Sequence, residues 1–279
     1  MDINDENKEE LKKEEKENTD IKTFEWCGYN WKSEMDGGRI IHPDSPWYWY
    51  SQDTIKVCEN NVLELGIRKN PREVKHWTGK VYHPEYEVAT MRSIESFRYG
   101  TYSADIMMPE GMNLWPSFWL TGDGNWPPEI DIMEGWSGNN KYFKWMIAQP
   151  PYISPSWRTT TNVHYNDSEM KHKSIGTRNI SWFRQKKNPT TNYLKYKCIW
   201  EPSRIIFAVD DIIVRKVTGQ VCEDLVKNLG NPEKGYNMNV IFNVWCEDPS
   251  KYKIDIATPM KIKNFKFEPY TIYYMPRKN

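Results

Sequence analysis

The chain has 279 residues, with 38 Lys and Arg balanced by 38 Asp and Glu, and 14% of its side chains are aromatic, 14 of them tryptophan. A formal charge of zero gives no bias toward nucleic acid or an anionic membrane, and no apolar run approaches the ~18 residues of a membrane span. Five dispersed cysteines without a C-x-x-C pair argue for buried thiols, against a disulfide framework or a zinc site.

Residues 1–20 carry nine acids against four lysines, and only Met1, Ile3 and Leu11 among them are apolar. Residues 1–22 therefore read as a charged tail, either solvated or serving as an attachment arm for a partner. This start lacks the apolar stretch of a signal peptide. The chain is expected to stay where it is made, to leave by another route, or to work outside the cell or at its surface after losing a leader. From Phe24 onward the texture changes to short runs rich in Trp, Tyr, Ile and Val, punctuated by Gly, Pro, Asn and Asp. Strands are predicted at 62–67, 102–108, 205–209, 238–244 and 260–267. Asp210-Asp211 is a hairpin turn between 205–209 and 212–217. Only 223–229 looks helical. With no βαβ alternation and no internal repeat, residues 23–279 are read as one all-β domain, a two-sheet antiparallel sandwich. An open cleft lined with rings would use the tryptophans that exceed what a core needs. The stretch 170–200 holds eight Lys or Arg and no acid. It is either a solvated edge guarded by lysines or a face toward an anionic polymer.

The chemistry concentrates in 97–136. Glu129, Asp131 and Glu134 fall within six residues of otherwise apolar strand, close to Trp115, Trp119, Trp126 and Trp136. In a regular strand Glu129 and Asp131 share one face and Glu134 points to the other. A β-bulge between Asp131 and Glu134 would bring all three to one cleft, with Ile130 and Ile132 turned to the core. Two carboxyls about 5–5.5 Å apart suit a retaining glycosidase, one attacking the anomeric carbon and one protonating the leaving oxygen. Crowding should raise one pKa and supply the proton donor. A surface strand with alternating acids and a calcium site are the competing readings.

Glu129-Ile130-Asp131-Ile132-Met133-Glu134 resembles the E-x-D-x-x-E motif of glycoside hydrolase family 16. Phe97-Arg98-Tyr99-Gly100-Thr101-Tyr102, Leu114-Trp115-Pro116-Ser117-Phe118-Trp119-Leu120, Trp200-Glu201-Pro202 with the hairpin after it, and 239–245 are similar to further segments of that family, in the same order. The resemblance spans roughly 31 to 270. It implies a jelly roll whose concave sheet forms the substrate cleft, and endo-hydrolysis of a β-linked polysaccharide, of β-glucan or β-galactan type, with retention. By the same resemblance Glu129 is the nucleophile, Glu134 the acid/base and Asp131 the residue that tunes the nucleophile. Trp115, Trp119, Trp136, His164, Asn243 and Trp245 match cleft positions and are the candidate substrate contacts, with core packing the favoured reading for Trp119. His42, His76, His83 and His172 receive no role. A polysaccharide partner, a monomer, no nucleic acid and no required cofactor or catalytic metal are expected. The family's structural calcium on the convex side has no visible ligand cluster in the sequence. Two departures bear on the sugar: Pro128 stands where the family has Gly, and Trp245-Cys246-Glu247 replaces a glycine pair. A non-catalytic glycan-binding jelly roll in a surface or virion assembly is the alternative from another class, and a transglycosylase the alternative among enzymes.

Overall fold

The computed structural model describes residues 23–33, 41–76, 78–122, 126–137, 157–176, 178–179, 187–229 and 237–271. The tail expected at 1–22 lies outside them, as does 180–186 of the basic stretch. Fifteen strands and one helix frame the site. They are β1 Thr23–Trp26, β2 Tyr29–Lys32, β3 Ile55–Val57, β4 Leu63–Leu65, β5 Tyr86–Ser93, β6 Gly100–Met107, β7 Leu114–Gly122 and β8 Glu129–Ser137. After these come β9 Trp157–Asn166, β10 His172–Ser174, β11 Leu194–Glu201, β12 Arg204–Val209, β13 Ile212–Thr218, α1 Gln220–Asn228, β14 Met238–Cys246 and β15 Met260–Pro269.

Two sheets stack face to face. The first runs in the order β1-β2-β5-β14-β7-β8-β9-β10, and the second in the order β13-β12-β11-β6-β15-β4-β3. These pairings are antiparallel, so the architecture is the expected two-sheet jelly roll. Alternation explains the burial. In β6, Tyr102, Ala104 and Ile106 are buried while Thr101, Ser103, Asp105 and Met107 are partly exposed. In β11, Leu194, Tyr196, Cys198 and Trp200 point inward in the same way. β5, β7 and β14 are buried on both faces, because the face away from the core carries the rings and polar groups of the cleft.

The core between the sheets is aromatic. Phe118 and Phe242 stack with centroids 4.5 Å apart, and Trp31 and Phe265 each meet Phe242 at 5.7 Å. Gly100 sits where no side chain fits: a Cβ there would lie 2.4 Å from the Glu268 carbonyl and 2.5 Å from the Phe267 ring. Asp210 and Asp211 both take positive φ, 46° and 63°, which makes the β12–β13 connection a two-residue turn whose twist matches its strands.

Three predicted elements differ in detail. The run 62–67 is two elements rather than one strand. Leu63–Leu65 pairs in the second sheet, and Ile67–Lys69 pairs with β5 in the first. Gly66 is the crossing point, with its N–H donating to the Thr54 carbonyl and its own carbonyl accepting from Ala89. The helix begins at Gln220, three residues before its predicted start, directly after Gly219 at φ 81°. Apolar Cys222 and Leu225 turn inward one helical turn apart. β14 continues to Cys246, since its pairing with β7 holds through Leu114.

Candidate active site

β8 lies between β7 and β9, and its register slips against both. Phe118 pairs with Met133 and Trp119 with Asp131, leaving Ile132 unmatched on the β7 side. On the β9 side Asp131 faces Asn162 and Glu134 faces Thr160, two residues apart. The slip is a β-bulge between Asp131 and Glu134. On either side of it Glu129, Asp131 and Glu134 face Thr121, Trp119 and Ser117 of β7, which alternate along one face. All three carboxyls therefore share a face, while Ile130, Ile132 and Met133 are buried in the core.

The acids are set among indole rings and a histidine. Asp131 is 2% exposed, and its Oδ2 makes no hydrogen bond. Trp126 Nε1 donates to Glu129 Oε2 at 2.9 Å, and Trp115 Nε1 donates to Glu134 Oε1 at 3.2 Å. His164 Nε2 stands 3.7 Å from Glu129 Oε1 and 3.5 Å from Asp131 Oδ2. Burial is the leading cause that pushes all three carboxyls upward: Asp131 to about 7, and Glu129 and Glu134 well above the ordinary range. The charge of Asp131 raises both glutamates further, and the two indole N–H groups pull Glu129 and Glu134 part of the way back. Three acids this close titrate as one coupled set, which retains protons at a pH where exposed carboxyls are bare.

That retention has a stability consequence. An aspartate unfolded near pKa 3.9 and folded at about 7 binds more protons in the native state between those values, so its contribution to stability declines as pH rises through that window. Asp131→Asn removes the ionisation. The variant should melt above the parent at pH 8, with the advantage fading toward pH 4. A melting-temperature difference equal at both ends would contradict the burial account.

The expected ring positions fall into two groups. Trp115 and Trp245 are partly exposed; Trp115 stacks on Trp136 at 5.8 Å and meets Trp245 edge-on at 5.6 Å. Trp245 is held by a bond to Thr90 Oγ1 and lies against Tyr48. Trp119 and Trp136 lie on the same face but keep only 9% and 6% exposure. Asn243 is wholly buried, and its amide accepts from Trp119 Nε1 at 2.7 Å and donates to the Trp115 carbonyl, so it holds the rings.

Two residues at this site had been assigned no part in it. Trp126, exposed at 55%, reaches back three residues to Glu129. His172, given no role by the sequence, has its ring 5.2 Å from that of His164 and nearly parallel to it, and it also packs on Trp126 at 4.7 Å. The signal was available in 167–171, whose turn pairs His164 with Ser174 and so brings His172 to the same face. Within the basic stretch, Lys171 meets Glu169, Lys173 meets Asp167, Lys187 meets Asp210 and Lys197 meets Asp211.

Among the described residues Glu129, Asp131 and His164 form a grouping whose ligand atoms approach within 4.8 Å of one another. His164 Nε2 also lies 2.9 Å from Asn162 Nδ2.

Comparison with known proteins agrees with this geometry. The sequence profile described as Glycosyl hydrolases family 16 matches residues 44–262. The chain is similar to Endo-1,3-1,4-beta-glycanase EglC of Rhizobium meliloti (strain 1021), 26% identical over 47% of this chain and 24% of that protein. It is also similar to Galactan endo-beta-1,3-galactanase of Flammulina velutipes, 33% identical over 39% of this chain and 43% of that protein. The chain thus spans less than half the length of either relative. The crystal structure of LamAcat from Zobellia galactanivorans superposes with a TM-score of 0.57 at 18% identity, over 80% of this chain and 86% of that one, a likeness of fold.

Proposed function

The chain belongs to glycosyl hydrolase family 16, and from that premise we propose that it is a retaining endo-β-glycanase acting on a neutral β-glucan or β-galactan. The observation that carries the proposal is the bulge, which turns Glu129, Asp131 and Glu134 to one face. Glu129 is the nucleophile. It retains 16% of its side-chain surface against 3% for Asp131, so only Glu129 can meet an anomeric carbon. The Trp126 N–H stabilises its anionic form. Glu134 is the acid/base. Burial and the neighbouring negative charges hold its proton until the leaving oxygen takes it, and the same group then deprotonates the incoming water. Asp131 acts through Glu129, which it faces at hydrogen-bonding distance, and sets how readily that carboxyl ionises. Nucleophile and proton donor both come from side chains, so no cofactor is required.

Neutral sugar is favoured because Lys171, Lys173, Lys187 and Lys197 of the basic stretch are engaged by acids, and the cleft face carries carboxyls and indoles that an anionic chain would not approach. Trp115 and Trp245 offer the half-exposed rings for sugar stacking, and Trp126 adds a third beside the nucleophile. A polymeric substrate suits work outside the cell, and no helix among the described residues is long and apolar enough to cross a membrane. The test is product analysis against β-glucans, agar, porphyran, carrageenan and mucin O-glycans. Internal cleavage of a neutral polymer, giving oligosaccharides from the first minutes, is expected. Binding without turnover on every glycan would instead favour the non-catalytic jelly roll. Products longer than the substrate would favour a transglycosylase.

A further inference from the structure

We propose that Asn162, Ser174 and His172 form a positioning frame that holds His164 as its Nδ1–H tautomer, with Nε2 accepting from Asn162 beside Glu129 and Asp131. The inference rests on the roles assigned to those acids above.

The argument starts from a group that can only donate. The Val163 backbone N–H donates to Asn162 Oδ1 at 2.9 Å, and Ser174 Oγ donates to the same oxygen at 2.8 Å. Ser174 Oγ in turn accepts the Gly176 N–H at 3.0 Å, which orients the hydroxyl. The oxygen of the Asn162 amide is therefore fixed, and its Nδ2 must be the atom 2.9 Å from His164 Nε2. An amide nitrogen has no lone pair to offer, so Nε2 accepts. The proton of His164 then resides on Nδ1, which lies 3.0 Å from His172 Nε2 and donates to it. Each link leaves one consistent direction for the next. Burial lowers the affinity of His172 for a second proton, in keeping with its part as acceptor.

The frame is anchored from the opposite sheet. The Arg215 guanidinium, on β13, donates to the carbonyls of Thr161 at 2.9 Å, Ile175 at 2.8 Å and Gly176 at 2.7 Å. It thereby ties β9 to the segment that follows β10 and keeps Ser174 within reach of Asn162. The groups that face His164 are Glu129 and Asp131 from β8, Asn162 from its own strand, His172 from β10 and the Trp126 ring.

The frame leaves Nε2 without a hydrogen to give to either acid, and the charges of Asp131 and Glu129 add to burial in raising Glu134.

Uniformly labelled full-length chain allows a direct reading. Long-range proton–nitrogen spectra should give His164 a single ring proton, on Nδ1, at pH 7. Ser174 is exposed at a strand end, so Ser174→Ala should fold. It removes one of the two donors that fix the amide oxygen, so the amide should turn for part of the time and an Nε2–H signal should appear. That N–H can donate to Glu129 or Asp131, and the bell-shaped activity profile should move to lower pH by about 1 unit. Ser174→Thr keeps the hydroxyl and should retain the parent pattern. His164 protonated on Nε2 in the parent chain would overturn the proposal. So would a Ser174→Ala spectrum identical to the parent's, or an altered spectrum with an unmoved profile. The spectrum needs no substrate, so a chain that cleaves no glycan still reports on the frame, and the two failures are separable.

Discussion

Glu129→Ala is expected to lower kcat by at least about 10⁴-fold, because it removes the attacking atom and leaves the fit of the substrate in place. KM should change little by comparison. Glu134→Ala should lose on the order of 10²–10⁴-fold on natural polymer, the range of a general acid. It should lose far less on a substrate whose leaving group departs without a proton. With such a substrate the Glu134→Ala chain forms the glycosyl-enzyme on Glu129 and stalls for want of a base. Azide needs no deprotonation, so it should restore turnover and yield a β-glycosyl azide. Proton NMR of early products from the parent chain completes the test. A β-anomer appearing first accords with two displacements. An α-anomer appearing first would exclude Glu129 as nucleophile and require a water seated between more distant carboxyls. The bulge argues against that arrangement, since both acids project from one short strand segment with a single extra residue between their registers.

Phe242→Ala should be the most damaging change remote from the chemistry. Phe242 has no exposed surface and touches four rings: Phe118 at 4.5 Å, Trp31 and Phe265 at 5.7 Å, and Trp26 at 6.0 Å. Truncation loses the burial of the ring and leaves a cavity between rigid neighbours that cannot collapse into it, which costs about 3–5 kcal/mol. For a chain of this size the melting temperature should fall on the order of 10 °C. The next residue, Asn243, faces the other way and holds the Trp119 indole. Activity should therefore fall before the transition is reached, as the rings of the cleft loosen. A Phe242→Ala chain within about 1 kcal/mol of the parent would mean that the two sheets do not meet through this cluster.

These two variants probe different kinds of information. The strand alternation of β6, the aspartate turn at Asp210-Asp211 and the spacing of the three acids were legible in the sequence because each depends on neighbours within about ten residues. Side-chain parity along one strand is a local property of the backbone. It was enough to require a bulge between Asp131 and Glu134, and the register of β8 contains one there. Gly66 shows where local reading stops: the run around it has one apolar texture, yet it serves two sheets, since the strands that accept its halves lie elsewhere in the chain.

The same limit governs the site. Asn243 shares its face with the acids, as its position in the strand implies, but its burial follows from Trp119 packing over it across 124 residues of sequence. The part played by His172 depends on a hairpin turning it back toward His164, and the anchor for that hairpin is Arg215, from the opposite sheet. The raised carboxyls are likewise a product of the fold. Three acids in six residues bring the charges together, but their leading cause is burial, and only a sheet closed on both sides by β7 and β9 removes the water that would otherwise keep them ionised.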